Sequence, residues 1–304
     1  MKPTCGRALV AAAVAALFVF VGGGLAGAHA YVDNFLAYRG FDPPRDPAYV
    51  TQPGTLQRVL VPSPALGRSQ EAYVYLPPGY AASGARRYPV LYLLHGFPGR
   101  PLAFVETVRM GVVVDSLASR HRAQPSILVM PFGSTGTFVD QEWSNEWGRF
   151  VASDLVRWVD AHYRTIASRP GRAIGGLSEG GFGAVDIALR HPHEFSVVES
   201  WSGYMQPAKI RSIYGAHLQR LAANDPMRLV VADAPVLRRL GTYFWFYSGS
   251  EDRLRAQNAA FATRLRTLHV PYRFRTVYGG HNWALWRANA FPAYVAAATR
   301  LAHG

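Results

Sequence analysis

The chain is poor in cysteine, lysine and acidic residues, and each shortage excludes a class of protein. Cys5 is the only cysteine among 304 residues, so an internal disulfide framework is excluded. Lysine occurs only as Lys2 and Lys209, so arginine supplies nearly all of the 32 basic residues, which outnumber 19 acidic ones. The arginines are spread along the chain without a run of five basic residues, which indicates a solvated surface and argues against a nucleic-acid partner.

Charge is sparse as well as one-sided. Charged residues make up 17% of the chain and hydrophobic residues 49%, which excludes a disordered chain and suits a sizeable core. The formal net charge of +13 favours contact with anionic surfaces. For an exported protein, that surface would be an anionic cell envelope. We expect a monomer.

The first thirty residues have the pattern of an export signal. Lys2 and Arg7 precede an uncharged stretch, 8–28, which ends in the small-x-small tripeptide Ala28-His29-Ala30. At roughly 20 residues the stretch is also long enough to cross a bilayer. Two interpretations of residues 1–30 therefore remain, a cleaved signal peptide and an uncleaved N-terminal membrane anchor. Both predict an exported protein that is extracellular or associated with the cell envelope.

After this segment, the pattern indicates a linker and then one large domain. Residues 31–54 are rich in proline and polar residues and predict an extended linker, and residues 55–304 predict an α/β catalytic domain. Strand-like and helical stretches alternate there, which is typical of a mostly parallel, doubly wound sheet with helices on both faces. Two early strands that end at proline predict an antiparallel start. The predicted strands are 56–61, 72–76, 90–94, 127–130, 172–175, 196–201, 243–247 and 272–277, and the predicted helices are 109–120, 149–163, 181–190, 256–268 and 288–302.

Ligands of such sheets bind beyond the carboxyl ends of the strands, and one of these ends carries a nucleophile motif. Gly176-Leu177-Ser178-Glu179-Gly180 follows a predicted strand and precedes a predicted helix. In a nucleophile elbow the serine occupies a strained turn, so the positions two before and two after it must be small. An ordinary glycine-rich turn is the alternative, but the strand-to-helix position favours Ser178 as a nucleophile.

A serine nucleophile requires a base and an acid that orients the base. His281 directly follows the last predicted strand. Of the other nine histidines, His95 belongs to the loop after the third predicted strand, and most of the rest lie in helical, terminal or signal segments or beside them. Asp252 and Glu251 follow the preceding strand; we favour Asp252 as the acid and keep Glu251 as the alternative. The chain order Ser178, Asp252, His281 is the order of α/β-hydrolases.

An acyl-transfer site also requires two backbone N–H donors for the oxyanion. Glu179, which follows the nucleophile, supplies one, and the loop Leu93-Leu94-His95-Gly96-Phe97 after the third strand supplies the other, with Phe97 as the predicted donor. No cofactor and no metal are expected. His191 and His193 lack a nearby third ligand, and the end of a helix explains them better.

Taken together, five motifs resemble the "Putative esterase" family of α/β-hydrolases, which includes esterase D, enterochelin and feruloyl esterases and secreted mycolyltransferases. The motifs are Val74-Tyr75-Leu76-Pro77-Pro78-Gly79-Tyr80, Leu91-Tyr92-Leu93-Leu94-His95-Gly96, Gly176-Leu177-Ser178, His191-Pro192 with Phe195, and Gly279-Gly280-His281-Asn282-Trp283. The segment Val129-Met130-Pro131-Phe132-Gly133 through Trp143 is most similar to the mycolyltransferase branch. The resemblance implies an α/β-hydrolase fold without a large lid and an acyl-enzyme at Ser178, with Asp252, His281 and the Phe97 and Glu179 amides in support. Glu179 departs from the family, which usually has Met or Ala there, and its carboxylate would disfavour acidic substrates.

These patterns predict an exported serine carboxylic-ester hydrolase or acyltransferase that acts on a small-molecule, lipid or glycolipid ester. Hydrolysis and transfer use the same residues, so the sequence leaves both open. A non-catalytic envelope-binding protein on the same scaffold is the alternative, although such relatives lack members of the triad. Trp143, Trp147 and Trp283 are either residues at the rim of the substrate pocket or residues that pack loops against the sheet.

Overall fold

One mixed sheet of eight strands organises residues 44–82, 84–133, 143–209 and 218–303, the parts of the chain that the computed structural model describes. The predicted segment 1–30 and residues 31–43 of the predicted linker lie outside the described residues. The strands are β1 (Thr55–Ser63), β2 (Arg68–Leu76), β3 (Val90–Leu94), β4 (Ile127–Pro131), β5 (Arg172–Gly176), β6 (Val197–Trp201), β7 (Tyr243–Gly249) and β8 (Tyr272–Val277), in the spatial order β1-β2-β4-β3-β5-β6-β7-β8.

The sheet begins antiparallel and continues parallel. β1 pairs with β2, and β2 with β4, in antiparallel register, whereas β4, β3, β5, β6, β7 and β8 are parallel to their neighbours. This confirms the predicted mostly parallel sheet with antiparallel N-terminal strands. Each predicted strand is present, and several are longer than predicted because β-pairing continues into turn residues such as Ser63 and Gly249.

Helices cover both faces of the sheet. They are α1 (Ala103–Glu106), α2 (Met110–Ser119), α3 (Glu146–Arg149), α4 (Val156–His162), α5 (Glu179–Arg190), α6 (Leu218–Ala223), α7 (Pro226–Arg239), α8 (Arg255–Thr267) and α9 (Trp283–Ala298), and a π-helical turn (Phe150–Leu155) joins α3 to α4. No helix of the described residues has the length and apolarity needed to cross a bilayer.

Local capping explains two of the differences between the helices and the predictions. The last helix begins five residues earlier than predicted because the Asn282 side chain accepts a hydrogen bond from the Leu285 amide (3.1 Å). The long helix α7 was not predicted; Asp225 caps it through the Met227 amide (2.8 Å), and Pro226 occupies its first position. The sequence predicts no large lid. The region in which a lid would lie includes residues 210–217, which are outside the described residues.

The central strands are buried on both faces, which fixes the edge at which the site forms. All residues of β3, β5 and β6 are buried, as expected for parallel strands covered by helices on both sides. The carboxyl ends of these parallel strands lie along one edge of the sheet. The loops that follow β3, β5, β7 and β8 therefore converge there.

Candidate active site

Ser178 occupies the strained turn between β5 and α5. Its backbone has φ 54° and ψ −119°, a conformation that non-glycine residues rarely adopt. The flanking glycines allow this turn to lie against β3, since a Cβ at Gly180 would come within 1.9 Å of the Leu94 carbonyl oxygen and one at Gly176 within 2.6 Å of it. The glycines at these two positions are therefore required by steric contact, and the turn has the geometry of a nucleophile elbow.

His281 lies between Ser178 and Asp252. Its Nε2 is 2.8 Å from Ser178 Oγ, and its Nδ1 is 2.9 Å from Asp252 Oδ2. An ionised carboxylate only accepts hydrogen bonds, so Nδ1 carries the proton and Nε2 is left to accept one from the serine hydroxyl. This arrangement can remove the proton of Ser178 during attack on an acyl carbon.

The structure brings Asp252, and not Glu251, to the imidazole. The Asp252 side chain is fully buried and accepts a second hydrogen bond, from the Leu254 amide to Oδ1 (2.8 Å), whereas Glu251 is exposed. Burial by itself raises the pKa of Asp252, but the hydrogen bond and the charge of His281 lower it below the usual value. Asp252 therefore stays ionised and can stabilise a protonated His281.

The loop after β3 lies directly against the nucleophile. A Cβ at Gly96 would be 3.1 Å from the Cβ of Ser178, so the chain that leads to Phe97 passes beside the serine. On the other side of Ser178, Glu179 is the first residue of α5, and its side chain is buried. Both predicted amide donors thus belong to segments next to Ser178, and their role in binding an oxyanion stays a prediction.

His95 holds this loop in place. Its Nδ1 donates to the Gly96 carbonyl oxygen (2.9 Å), and its Nε2 accepts from the Gly133 amide (3.0 Å), which fixes one neutral tautomer. The backbone carbonyl of His95 accepts from the indole N–H of Trp143 (2.9 Å). Burial lowers the pKa of His95 to about 4, so the imidazole remains neutral at physiological pH. In the sequence His95 is one residue of a motif, and this role was not predicted.

Trp286 was also missed; it contacts His281 directly and shares a hydrogen-bond acceptor with Ser178. Its ring meets the His281 imidazole edge to face at 5.1 Å, and its N–H donates to the Trp201 carbonyl oxygen (3.2 Å). The same oxygen accepts the Ser178 amide (3.0 Å). The only sequence signal for this residue is its position four residues after Asn282, the helix-capping residue.

The three tryptophans predicted as pocket-rim residues are nearly inaccessible. Trp143, Trp147 and Trp283 expose 1%, 2% and 3% of their surface. Trp143 packs against Trp147 (6.1 Å between ring centroids), and Trp283 packs against Trp286 (5.0 Å). These contacts correspond to the alternative, packing of loops against the sheet, and not to an open rim. The indole N–H of Trp143 donates to the His95 carbonyl oxygen, so this ring packs against the loop that follows β3.

Comparisons with known proteins agree with this fold. A ferulic acid esterase structure superposes with a TM-score of 0.74 and 25% identity, and the match covers 83% of this chain and all of the other. Esterase Rv1288 of Mycobacterium tuberculosis strain H37Rv is 30% identical over 253 residues, 71% of this chain. The MPT51/MPB51 antigen of the same strain is 30% identical over 207 residues, 66% of this chain and 62% of the antigen.

The match to the esterase Rv1288 covers 53% of that protein, so the chain spans about half the length of this curated relative. The sequence profile of the family described as "Putative esterase" matches residues 63–296, most of the described domain. The match includes the nucleophile elbow and the loops of Asp252 and His281. The fold is the predicted α/β-hydrolase fold, and the chain belongs to the "Putative esterase" family.

Proposed function

We propose that this protein is an exported serine carboxylic-ester hydrolase or acyltransferase that forms an acyl-enzyme at Ser178. The observation that carries the proposal is the continuous chain of two hydrogen bonds, 2.8 Å from Ser178 Oγ to His281 Nε2 and 2.9 Å from His281 Nδ1 to Asp252 Oδ2. Membership of an esterase family supports the same reaction class.

In the first half of the reaction, Ser178 Oγ attacks the ester carbonyl carbon while His281 Nε2 takes the hydroxyl proton. The tetrahedral oxyanion is bound by the amides of Phe97 and Glu179. Collapse of this intermediate breaks the bond to the leaving alcohol, which takes the proton from His281. The acyl group is then esterified to Ser178, and Asp252 has stabilised the imidazolium during the step.

In the second half, an acceptor hydroxyl resolves the acyl-enzyme. His281 removes its proton, the acceptor oxygen bonds to the acyl carbon, and the proton returns to Ser178 Oγ as the serine ester breaks. Water as acceptor gives hydrolysis and a sugar hydroxyl gives transfer. The similarity to a ferulic acid esterase supports a small-molecule ester as the donor, and the lipid or glycolipid ester that the sequence also predicts stays part of the proposal.

The proposal that the protein is exported depends on residues 1–30, which have the pattern of a signal peptide or a membrane anchor. Expression of the full chain in a bacterial host tests it through fractionation. Recovery outside the cytoplasm, either shortened after Ala30 or intact in the membrane, is expected. Recovery of the intact chain from the cytoplasm would overturn the proposed export and leave the chemistry unaffected.

The chemistry is tested on the full chain with a short-chain p-nitrophenyl ester and a fluorophosphonate. Turnover and covalent labelling at Ser178 are expected, and Ser178→Ala should lose both while its circular dichroism spectrum is unchanged. An exposed serine, as in Ser69→Ala, is the matched control and should keep both. Absence of labelling in the folded wild-type protein would contradict the mechanism and would favour a non-catalytic protein.

The choice between hydrolysis and transfer is tested by trapping. Intact mass spectrometry after exposure to candidate ester donors should show a mass increase equal to the acyl group, lost in Ser178→Ala. The acylated protein is then divided between buffer alone and buffer with trehalose. Faster loss of the adduct with trehalose, together with an acylated sugar product, indicates transfer, and equal rates indicate hydrolysis.

A further inference from the structure

The last strand of the sheet and the helix that precedes it form a surface with cations and no carboxylates. Between residues 253 and 277 the chain has six arginines and no aspartate or glutamate, and all six arginines are exposed. They are Arg253, Arg255, Arg264, Arg266, Arg273 and Arg275, which we name the arginine edge. No acidic residue follows in the remainder of the chain to residue 304.

These arginines lie on both sides of strand β8, which ends the sheet. Tyr272 and Phe274 point to one face, where they pack against Phe246 (6.2 and 5.0 Å), and Phe246 in turn packs against Phe261 of α8. Because side chains alternate along a strand, Arg273 and Arg275 point to the opposite face. Arg264 and Arg266 belong to α8, on the Phe261 side. Arginines therefore lie on both faces of the sheet at this edge strand.

The arginines of this edge form no ion pairs with described carboxylates, although the exposed Glu251 lies two residues before Arg253. In the parts of the chain that the structure describes, no ion pair includes any of the six. The opposite edge of the sheet differs, since Arg58 of β1 is paired there with Glu71 of β2. Two charges on an edge strand would suffice to prevent edge-to-edge aggregation, but this does not account for the four arginines contributed by α8 and the turn before it.

From this arrangement we infer that the arginine edge binds a linear anionic polymer that has phosphates in its backbone and carries no nucleobases. Guanidinium groups bind phosphate oxygens in pairs, and Arg273 and Arg275 are about 7 Å apart along the strand, so they can contact separate phosphates of an extended chain. A flat lipid surface reaches the cations of only one face at a time, whereas a flexible polymer reaches both. Because the cations lie on both faces of the strand, a flexible anionic polymer can neutralise more of them than a flat anionic surface can.

The surface is rigidly connected to the candidate active site. The arginine edge begins directly after Asp252, and its last residue, Arg275, lies in the strand that leads to His281. A polymer bound along β8 would therefore keep the candidate active site at a constant distance from that polymer. This adds a non-catalytic binding surface to the proposed function and does not depend on the triad.

The test measures binding of the full chain to long-chain inorganic polyphosphate as a function of salt. The edge variant carries Arg264→Gln, Arg266→Gln, Arg273→Gln and Arg275→Gln. The control variant carries Arg45→Gln, Arg86→Gln, Arg120→Gln and Arg122→Gln, four exposed arginines that lie outside the described ion pairs and have the same total charge. Circular dichroism reports folding in each variant and should be unchanged.

We expect the edge variant to bind at least about tenfold more weakly at low salt, with a slope of log affinity against log salt that is less steep by about 3, since each lost phosphate contact removes roughly 0.7. The control variant should stay within about twofold of the wild type. Ser178→Ala should bind as the wild type does, so failure of the proposed chemistry would leave this result intact.

Three outcomes would overturn the inference. The first is no binding of polyphosphate by the wild type at low salt. The second is an equal loss in both arginine variants, which would indicate diffuse attraction by the net charge. The third is tighter binding to phosphatidylglycerol vesicles or to oligothymidylate than to polyphosphate, which would assign the surface to a membrane or to single-stranded nucleic acid.

Discussion

Trp286 and Ser178 donate hydrogen bonds to the same acceptor, the carbonyl oxygen of Trp201. The indole N–H lies 3.2 Å from this oxygen and the serine amide 3.0 Å. The ring of Trp286 also contacts His281. The Trp286 side chain of α9 therefore contacts the base His281 and the carbonyl group that binds the Ser178 amide. Loss of this side chain should shift both Ser178 and His281.

We predict that Trp286→Phe lowers kcat about threefold to tenfold with little change in KM, because an aromatic ring remains beside His281 but one buried hydrogen bond is lost, worth about 1 kcal/mol. Steady-state kinetics with a p-nitrophenyl ester and chemical denaturation measure the two effects. Trp283→Phe is the matched control in the same helix. The Trp283 N–H is buried without a partner among the described residues, so its removal should be neutral or slightly stabilising. Equal losses of kcat in both variants would contradict this role of Trp286.

Asp252→Asn and Glu251→Gln separate the two carboxylates that the sequence left as alternatives. Asp252→Asn should reduce kcat by about 10³-fold to 10⁴-fold, since an amide can hold His281 in the wrong tautomer and cannot stabilise imidazolium. Glu251→Gln changes an exposed side chain and should keep kcat within about twofold. The measurement is steady-state turnover of a p-nitrophenyl ester at fixed pH, and a larger loss for Glu251→Gln would reverse the assignment.

Gly180→Ala is expected to destabilise the protein by at least 1–3 kcal/mol, because the new methyl group would come within 1.9 Å of the Leu94 carbonyl oxygen. The displacement should also move Ser178 and reduce fluorophosphonate labelling. Gly148→Ala in α3 is the control, since its Cβ would meet its nearest atoms at 3.5 Å, an ordinary contact. Thermal denaturation of both variants tests the difference, and an unchanged Tm for Gly180→Ala would show that the elbow tolerates a side chain.

His95 should make the protein less stable in acid. Burial lowers its pKa to about 4, whereas an unfolded histidine titrates near 6.5, so between these values the unfolded chain binds a proton that the folded protein does not. The free energy of unfolding should therefore decrease as the pH falls from about 6.5 to 4, by up to about 1.4 kcal/mol per pH unit from this residue. Above pH 6.5 the contribution is complete.

Comparison of wild type with His95→Asn across this pH range isolates the contribution of His95. Asp115 and Asp186, whose pKa burial raises to about 6, act in the opposite direction, but they are common to both proteins and cancel in the difference. His269→Asn removes an exposed histidine and should give a stability curve parallel to that of the wild type. If the wild type and His95→Asn have parallel curves too, the imidazole of His95 is not buried in solution.

The sequence determined the order of strands and helices and the positions of the chemical groups. Alternation of apolar strands with amphipathic helices is a local property, so all eight strands were predicted from it. Ser178, His281 and the pair Glu251 and Asp252 stood out because each follows a predicted strand. Helix α7 was missed although Val230, Ala234 and Leu237 recur at helical spacing; Pro235 lies inside it, and a proline within a helical pattern predicts a break.

Only the tertiary structure decided which side chains meet. The choice of Asp252 over Glu251 depends on the direction of a loop, and the roles of His95 and Trp286 depend on partners 38 and 85 residues away along the chain. Trp143 and Trp283 are a further example. The local sequence around a tryptophan at the end of a loop is the same whether its indole is exposed to solvent or buried in the core. Local patterns record backbone preference and polarity, whereas contacts between distant residues arise only when the sheet brings its carboxyl ends together.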